Sequence, residues 1–92
     1  MDVYRERAAL VAHLTARYPA VISYNDTDEP DWPVIYVTSP VGQLSWHLAP
    51  ADLDLFGHVP TVAADDARAA WDGHTTTEKY ARLAKLAAGE GA

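Results

Sequence analysis

The chain has 92 residues, a mass of 10.0 kDa, a formal charge of −6 and no cysteine. That length fits a single domain, 1–92, with a flexible tail at 88–92, and leaves little room for a second. Without cysteine the chain forms no disulfide and offers no thiolate as a nucleophile or metal ligand. We find no signal-peptide pattern and no run of about 20 apolar residues that would span a bilayer. We therefore expect a soluble, cytoplasmic domain with no membrane contact.

Charge is unevenly distributed along the chain. The stretch from Tyr18 to Ala67 contains no lysine or arginine. Its eight acidic residues are Asp26, Asp28, Glu29, Asp31, Asp52, Asp54, Asp65 and Asp66. Such a surface repels phosphate backbones, which disfavours direct nucleic-acid binding, and favours a protein partner with a basic surface. The same charges also keep a small protein in solution, so the two interpretations stay open.

The first predicted element is an amphipathic helix from Asp2 to Tyr18. Apolar side chains recur at three- and four-residue spacings, which places them on one stripe. They are Val3, Leu10, Val11, Leu14 and Tyr18. Asp2 suits the N-cap, and Pro19 prevents the helix from continuing.

Three strands are predicted next, at Ala20–Tyr24, Val34–Thr38 and Gln43–Leu48, because these runs are rich in β-branched and aromatic residues or alternate strictly. The residues 25–33 form a loop rich in Asp, Asn and Pro. Residues 39–42 have proline at the second position and glycine at the fourth, which predicts a tight turn joining the second and third strands into a hairpin.

Two helices are predicted in the remainder of the chain, and residues 59–70 between them show no clear pattern apart from one helical turn. A short helix is predicted from Pro50 to a stop at Gly57, with Leu53 and Phe56 facing inward, and a helical turn within 66–70. The last helix starts at a Thr75–Glu78 capping box and stops at Gly89. Its predicted apolar stripe comprises Tyr80, Leu83, Ala84 and Ala87. The fold class is therefore α+β: a small three-stranded antiparallel sheet packed on one face by the N- and C-terminal helices, with a short helix after strand 3.

Two fragments, Gly42–His47 (GQLSWH) and Trp71–Tyr80 (WDGHTTTEKY), resemble the WDGH domain-containing small proteins of actinobacteria and their phages. The resemblance covers about 24–86. It implies a small accessory protein carried by phages or mobile elements, in a family with no established activity.

The third strand carries the first group of candidate binding residues. Alternation places Leu44, Trp46 and Leu48 on one face and leaves a polar stripe on the other. The stripe comprises Gln43, Ser45 and His47, and Tyr36 joins it if the register allows. If helices cover the apolar face, the polar stripe lies on the open face, where it either binds a small polar ligand or is an ordinary solvated sheet face.

The second group lies where the last helix begins. Gly73 permits a tight bend that delivers Thr75 to the N-cap, where first-turn amides attract anions. Side-chain donors to such an anion would come from His74, Thr76 and Thr77. The structural alternative is that Trp71 anchors the loop in the core while Asp72 and His74 tie down its backbone.

Metal binding and catalysis have weaker support. His47, His58 and His74 are candidate metal ligands only if the fold brings them together, because no compact ligand spacing occurs. A hydrolase arrangement of Ser45, His47 and Asp72 lacks a nucleophile elbow or a glycine-rich oxyanion loop.

The leading hypothesis is a small acidic, non-catalytic accessory protein that binds a host or phage macromolecule and uses no cofactor. The first alternative is a protein that binds a nucleotide-like anion, and the second is a metal-dependent or histidine-based hydrolase. A homodimer is left open. The candidate ligand-binding residues are Tyr36, Gln43, Ser45, His47, Asp72, Gly73, His74, Thr75 and Thr76.

Overall fold

The computed structural model describes residues 3–90. Two α-helices, three strands and two short 3₁₀ helices follow in the order α1, β1, β2, β3, first 3₁₀ helix, second 3₁₀ helix and α2. Their bounds are α1 Val3–Leu14, β1 Ala20–Ser23, β2 Val34–Ser39, β3 Gly42–His47, 3₁₀ helices Pro50–Phe56 and Ala67–Ala69, and α2 Thr76–Glu90. The strands form one antiparallel sheet in the order β1-β2-β3. The predicted α+β fold is confirmed.

The register of the sheet decides which side chains share a face. Tyr36 on the central strand lies opposite Val21 on one side and Ser45 on the other. Directly opposed residues point to the same face, so Tyr36 shares the face of the polar stripe. Its neighbour Ile35 lies opposite Trp46 and points to the other face.

The main core lies on the face of Ile35 and Trp46, under α1, the first 3₁₀ helix and α2. Its buried members are Ala8, Val11, Leu14, Ile22, Ile35, Val37, Leu44, Trp46, Leu48, Phe56, Val59, Leu83 and Leu86. Phe56 is buried as predicted, and Leu53 is partly buried against the same cluster. Burial of these side chains is the main stabilising contribution to a chain of this size.

The opposite face of the sheet is covered over β1 and β2, whereas His47 on β3 stays exposed, so the predicted open polar face is only partly open. Residues 60–62 run beside β1: the Ile22 amide donates to the Pro60 carbonyl at 2.9 Å, and the Val62 amide donates to the Ile22 carbonyl at 2.8 Å. The chain then crosses this face, where Ala69 is buried against Tyr36 in a second, smaller cluster. Ser45 is therefore partly buried.

Helix α1 ends at Leu14, four residues before the predicted end at Tyr18. The Thr15 hydroxyl donates to the Ala12 carbonyl at 2.6 Å, and the next amides bond in tighter turns, which ends the α-helical pattern. The predicted stripe is also shorter, because Val3 is 52% exposed. The Asp2 N-cap lies outside the described residues.

Four of the six strand ends differ from the predicted bounds by one residue. β1 stops at Ser23, β2 includes Ser39, and β3 runs one residue earlier than predicted. The hairpin is confirmed: Ser39 lies opposite Gly42, and the Ser39 hydroxyl donates to the Gly42 carbonyl at 2.7 Å.

Helix α2 continues through Glu90, so the predicted stop at Gly89 is wrong. Its buried residues are Leu83 and Leu86, whereas Ala84 is exposed and Tyr80 is 44% exposed. The helix includes residues 88–90 of the expected tail, and 91 and 92 lie outside the described residues. Over the described part of the chain, no helix is both long and apolar enough to cross a membrane.

Candidate functional site

A chain of hydrogen bonds links the turn before α2 to the middle of β3. The Asp72 Oδ1 atom lies 2.5 Å from Nδ1 of His74, and Nε2 of His74 lies 2.9 Å from the Ser45 hydroxyl oxygen. The side chain of His74 is only 2% exposed. Its ring is therefore fixed between a carboxylate and a hydroxyl.

The direction of these bonds follows from the ionisation of Asp72. The hydrogen bond from His74 is the largest of several interactions that hold the pKa of Asp72 below its ordinary value; backbone and Arg82 hydrogen bonds contribute further. An ionised carboxylate can only accept, so Nδ1 of His74 carries a proton. In the neutral imidazole Nε2 then has a free lone pair, and the Ser45 hydroxyl donates to it.

Two side chains hold the turn in place against β3. Gln43 Nε2 donates to the Ala70 carbonyl at 2.7 Å, and Gln43 Oε1 accepts from the Asp72 amide at 3.0 Å. Arg82 Nη1 donates to the Gln43 carbonyl at 2.7 Å and lies 3.3 Å from Asp72 Oδ2. Gly73, between Asp72 and His74, has a φ of +89°, a conformation that favours glycine.

The hydrogen-bonded serine and histidine open onto a pocket of about 210 Å³, here called the β3–α2 pocket. It is lined by Ser45, His47, Trp71, His74, Thr75, Thr76 and Lys79. Hydroxyl, imidazole, indole and ammonium groups thus converge on one small concave site.

Lys79 supplies the positive charge of the β3–α2 pocket. Its ammonium lies 4.4 Å from the ring centroid of Trp46, and its pKa is lowered because burial disfavours the charged form. Within residues 3–90, no carboxylate forms an ion pair with it. The charge therefore lacks an acidic partner inside the described protein.

The start of α2 forms another wall of the pocket. Its capping box is confirmed: the Glu78 amide donates to the Thr75 hydroxyl at 3.1 Å, and the Thr75 amide donates to Glu78 Oε1 at 3.2 Å. The first-turn amides of Thr76 and Thr77 precede any intrahelical acceptor. They contribute the positive end of the helix dipole at this wall.

His47 lies between the β3–α2 pocket and a wider groove of about 440 Å³. The groove is lined by Asp26, Glu29, Trp32 and His47. His47 Nε2 lies 2.7 Å from Asp26 Oδ2, and this hydrogen bond is the largest cause of the lowered pKa of Asp26. The two sites thus differ in charge, and the groove is the acidic one.

Five of the nine predicted binding residues line the pocket: Ser45, His47, His74, Thr75 and Thr76. Gln43, Asp72 and Gly73 do not line it, but Gln43 bonds to the Asp72 amide and Asp72 bonds to His74. Tyr36 does not take part, because its hydroxyl donates to Asn25 Oδ1 at 2.9 Å and its ring lines a separate pocket near Arg68.

Two further predictions are wrong, and one residue of the pocket was not predicted. The hydrolase arrangement named the wrong histidine, since His47 bonds to Asp26 and His74 bonds to Ser45 and Asp72. The alternative that Trp71 anchors its loop in the core is wrong, because Trp71 is 61% exposed. The sequence analysis did not name Lys79, although it lies four residues after the predicted N-cap Thr75. Residues four apart lie on the same face of a helix.

The candidate metal ligands do not form a site. His58 is hydrogen-bonded to the Thr15 hydroxyl at 2.6 Å, whereas His47 and His74 each pair with an aspartate. Among residues 3–90 no group of three or more His, Asp or Glu side chains is arranged to hold a metal ion.

A family model described as the WDGH domain matches residues 1–86, nearly the whole chain. No curated protein and no solved structure matches the chain.

Proposed function

The chain belongs to the WDGH domain family, and we propose that it binds a small anion bearing a planar ring, such as a nucleotide, in the β3–α2 pocket. The observation that carries this proposal is the half-buried ammonium of Lys79, which lines the pocket and has no carboxylate partner within residues 3–90. A buried charge is costly unless it is paired. A bound phosphate or carboxylate would provide that pairing.

Neutral donors around Lys79 suit the same ligand. The hydroxyls of Thr75 and Thr76 line the pocket, next to the first-turn amides of α2. Oriented amides at a helix start favour anions, and a lysine adds a compact positive charge. The chain as a whole is acidic, so this positive pocket stands apart from its surroundings.

The position of Trp71 favours a ligand that contains a planar ring. Its indole is 61% exposed yet lines the pocket, with its ring edge-on to that of His74 at a centroid distance of 5.9 Å. An exposed tryptophan face beside a phosphate-sized site is suited to stacking on a base, which contributes about 1–3 kcal/mol per base.

The test is calorimetric titration with AMP, adenosine and inorganic phosphate. We expect AMP to bind most tightly, and Lys79→Met to weaken AMP binding by roughly tenfold or more, as expected for the loss of one charge-assisted contact. Lys85→Met, which removes an exposed lysine of the same helix, should leave affinity unchanged. Trp71→Ala should weaken AMP binding and leave phosphate binding intact.

The proposal fails if neither AMP nor a wider panel of mono-, di- and cyclic nucleotides binds at millimolar concentration. It also fails if Lys79→Met and Lys85→Met have equal effects, since the affinity would then reflect overall charge.

A second proposal concerns the acidic groove between Asp26, Glu29 and Trp32. Two carboxylates beside an aromatic ring are suited to lysine or arginine side chains, through ion pairing and cation–π contact. We propose that this groove binds a protein partner with a basic surface, which matches the base-free acidic middle of the sequence. We also propose that the protein binds this partner in the cytoplasm, as an accessory protein of a phage or mobile element.

This second proposal is tested by binding to immobilised polylysine and to a basic peptide array at low and high salt. Asp26→Asn combined with Glu29→Gln should reduce retention more than the charge-matched pair Glu6→Gln and Asp65→Asn. Equal losses in the two double variants would count against a specific groove, because they would indicate attraction by net charge alone.

A further inference from the structure

We propose that Ser45 is a nucleophile in the β3–α2 pocket, with His74 as its general base and Asp72 as the positioning residue that holds the imidazole. The substrate class is a small carboxylic ester. We expect that ester to carry an anionic group, which rests on the proposed function. The reactivity of Ser45 does not depend on the proposed function.

The geometry for proton transfer is in place along the whole chain of atoms. Asp72 Oδ1 lies 2.5 Å from Nδ1 of His74, and Nε2 of His74 lies 2.9 Å from the Ser45 hydroxyl oxygen, within reach of its proton when the ring is neutral. Nucleophile, base and orienting carboxylate therefore occupy the order that activates serine in unrelated hydrolases. Arg82, 3.3 Å from Asp72 Oδ2, keeps the carboxylate oriented.

The accessibility of Ser45 distinguishes this arrangement from a set of hydrogen bonds that only holds the turn in place. Ser45 lines the pocket and is only partly buried, whereas His74 behind it is almost fully buried. The same pocket places Lys79 and the start of α2 beside Ser45. Positive groups beside the reacting carbonyl stabilise the oxyanion that forms when it is attacked.

The reaction balances without a cofactor. Ser45 Oγ forms a bond to the carbonyl carbon while its proton passes to Nε2 of His74, giving a tetrahedral oxyanion. Collapse breaks the bond between the carbonyl carbon and the ester oxygen, and His74 returns the proton to the leaving alkoxide. Water then attacks the acyl-serine, His74 takes and returns its proton in the same way, and a carboxylic acid and free Ser45 result.

The neutral probe phenylmethylsulfonyl fluoride tests Ser45 directly, since it sulfonylates activated serines with loss of HF. We expect one adduct by intact mass, mapped to the peptide that contains Ser45, and no adduct in Ser45→Ala. Asp72→Asn should label at least tenfold more slowly. Ser39→Ala, in which the removed hydroxyl bonds only within its turn, should label like the wild type.

A thiol variant gives a second readout that does not depend on the sulfonyl probe. The chain has no cysteine, so Ser45→Cys introduces the only thiol. We expect it to react with iodoacetamide at least tenfold faster than Ser39→Cys, and to lose that advantage when Asp72→Asn is added. Near-UV circular dichroism confirms that each variant is folded.

Absence of a Ser45 adduct together with a Ser45→Cys variant no faster than Ser39→Cys overturns the nucleophile. So does an Asp72→Asn variant that labels at the wild-type rate. The wild type itself separates the two proposals, because AMP binding and sulfonylation of Ser45 are independent readouts. A wild type that is labelled but does not bind AMP keeps the nucleophile and overturns the anion site; the converse keeps the anion site alone.

Discussion

The side-chain oxygen of Gln43 accepts a hydrogen bond from the Asp72 backbone amide at 3.0 Å, while its side-chain nitrogen donates to the Ala70 carbonyl at 2.7 Å. The side-chain amide of Gln43 thus makes two hydrogen bonds at the edge of β3. The backbone of a neighbouring strand would otherwise make such a pair. The turn that carries His74 is fixed to the sheet by this contact, although Asp72 comes 29 positions after Gln43 in the chain.

Gln43→Ala should loosen that turn while leaving the sheet intact. Two hydrogen bonds are lost, which predicts a decrease of about 1–2 kcal/mol in the free energy of unfolding. Hydrogen exchange at the Asp72 amide should accelerate more than exchange at the Ile22 amide, which bonds to Pro60 on the far side of the sheet. Equal acceleration at both amides would show that Gln43 affects global stability and does not act locally.

The tryptophans at 46 and 71 should differ sharply in their contribution to stability. Trp46 is 7% exposed and packs in the main core, so Trp46→Ala should cost about 3–5 kcal/mol. Trp71 is 61% exposed, and Trp71→Ala should cost less than about 1 kcal/mol. Chemical denaturation monitored by circular dichroism measures both. A large loss of stability on removing Trp71 would contradict its assignment as a ligand-stacking residue.

The contrast between these residues also shows how far sequence reasoning reaches. The strands, the hairpin and the Thr75–Glu78 capping box were predictable because their signals lie within a few residues of each other. The bond between His74 and Ser45 was not, since it depends on how a turn lies across a strand 29 residues away. Sequence patterns named both residues as candidates, and only the fold shows that they touch.

The partial cover on the second sheet face was missed for the same physical reason. Alternation along β3 separates two faces and does not say what covers either of them. Residues 59–70 have no helical or strand periodicity, yet they run beside β1 and cross the polar face. The exposure of Trp71 is likewise decided by that path, because a large aromatic side chain is usually buried.

Asp66 offers a direct test of the local electrostatics. The side-chain hydrogen bonds from Arg68, followed by its backbone bond, lower the pKa of Asp66 from 3.8 to about 2. Because the folded pKa is depressed, the associated stabilisation is present above the ordinary value of 3.8 and is lost as the pH falls through about 2. An NMR titration of the carboxyl carbon should give this low midpoint.

Arg68→Gln should move the Asp66 midpoint upward, toward 3.8 but not fully to it, because the residue 68 amide still donates to the carboxylate. Lys85→Gln, which removes a cation elsewhere, should leave the midpoint in place. If the two variants gave the same shift, the low pKa would reflect overall charge and not the Arg68 contact.

Alanine substitutions at three glycines should separate the effect of backbone strain on stability from the effect of steric contact. Gly42 has a φ of +113°, and a β-carbon built there would lie 2.8 Å from Cζ of Arg82. Gly42→Ala therefore combines positive-φ strain of about 1–2 kcal/mol with displacement of the guanidinium that bonds to the Gln43 carbonyl. Gly73 has a φ of +89° but open space around it, so Gly73→Ala should show the strain alone.

Gly57 is the matched control for both, since it is in the right-handed helical region with a φ of −59° and has nothing within 4 Å of an added β-carbon. Gly57→Ala should be neutral or stabilise the fold by about 0.4–1 kcal/mol, because alanine restricts the unfolded chain. Urea denaturation of the three variants should therefore rank stability as Gly57→Ala highest, Gly73→Ala next and Gly42→Ala lowest. Equal losses at 42 and 73 would show that Arg82 moves aside freely and that its contact with β3 contributes little to stability.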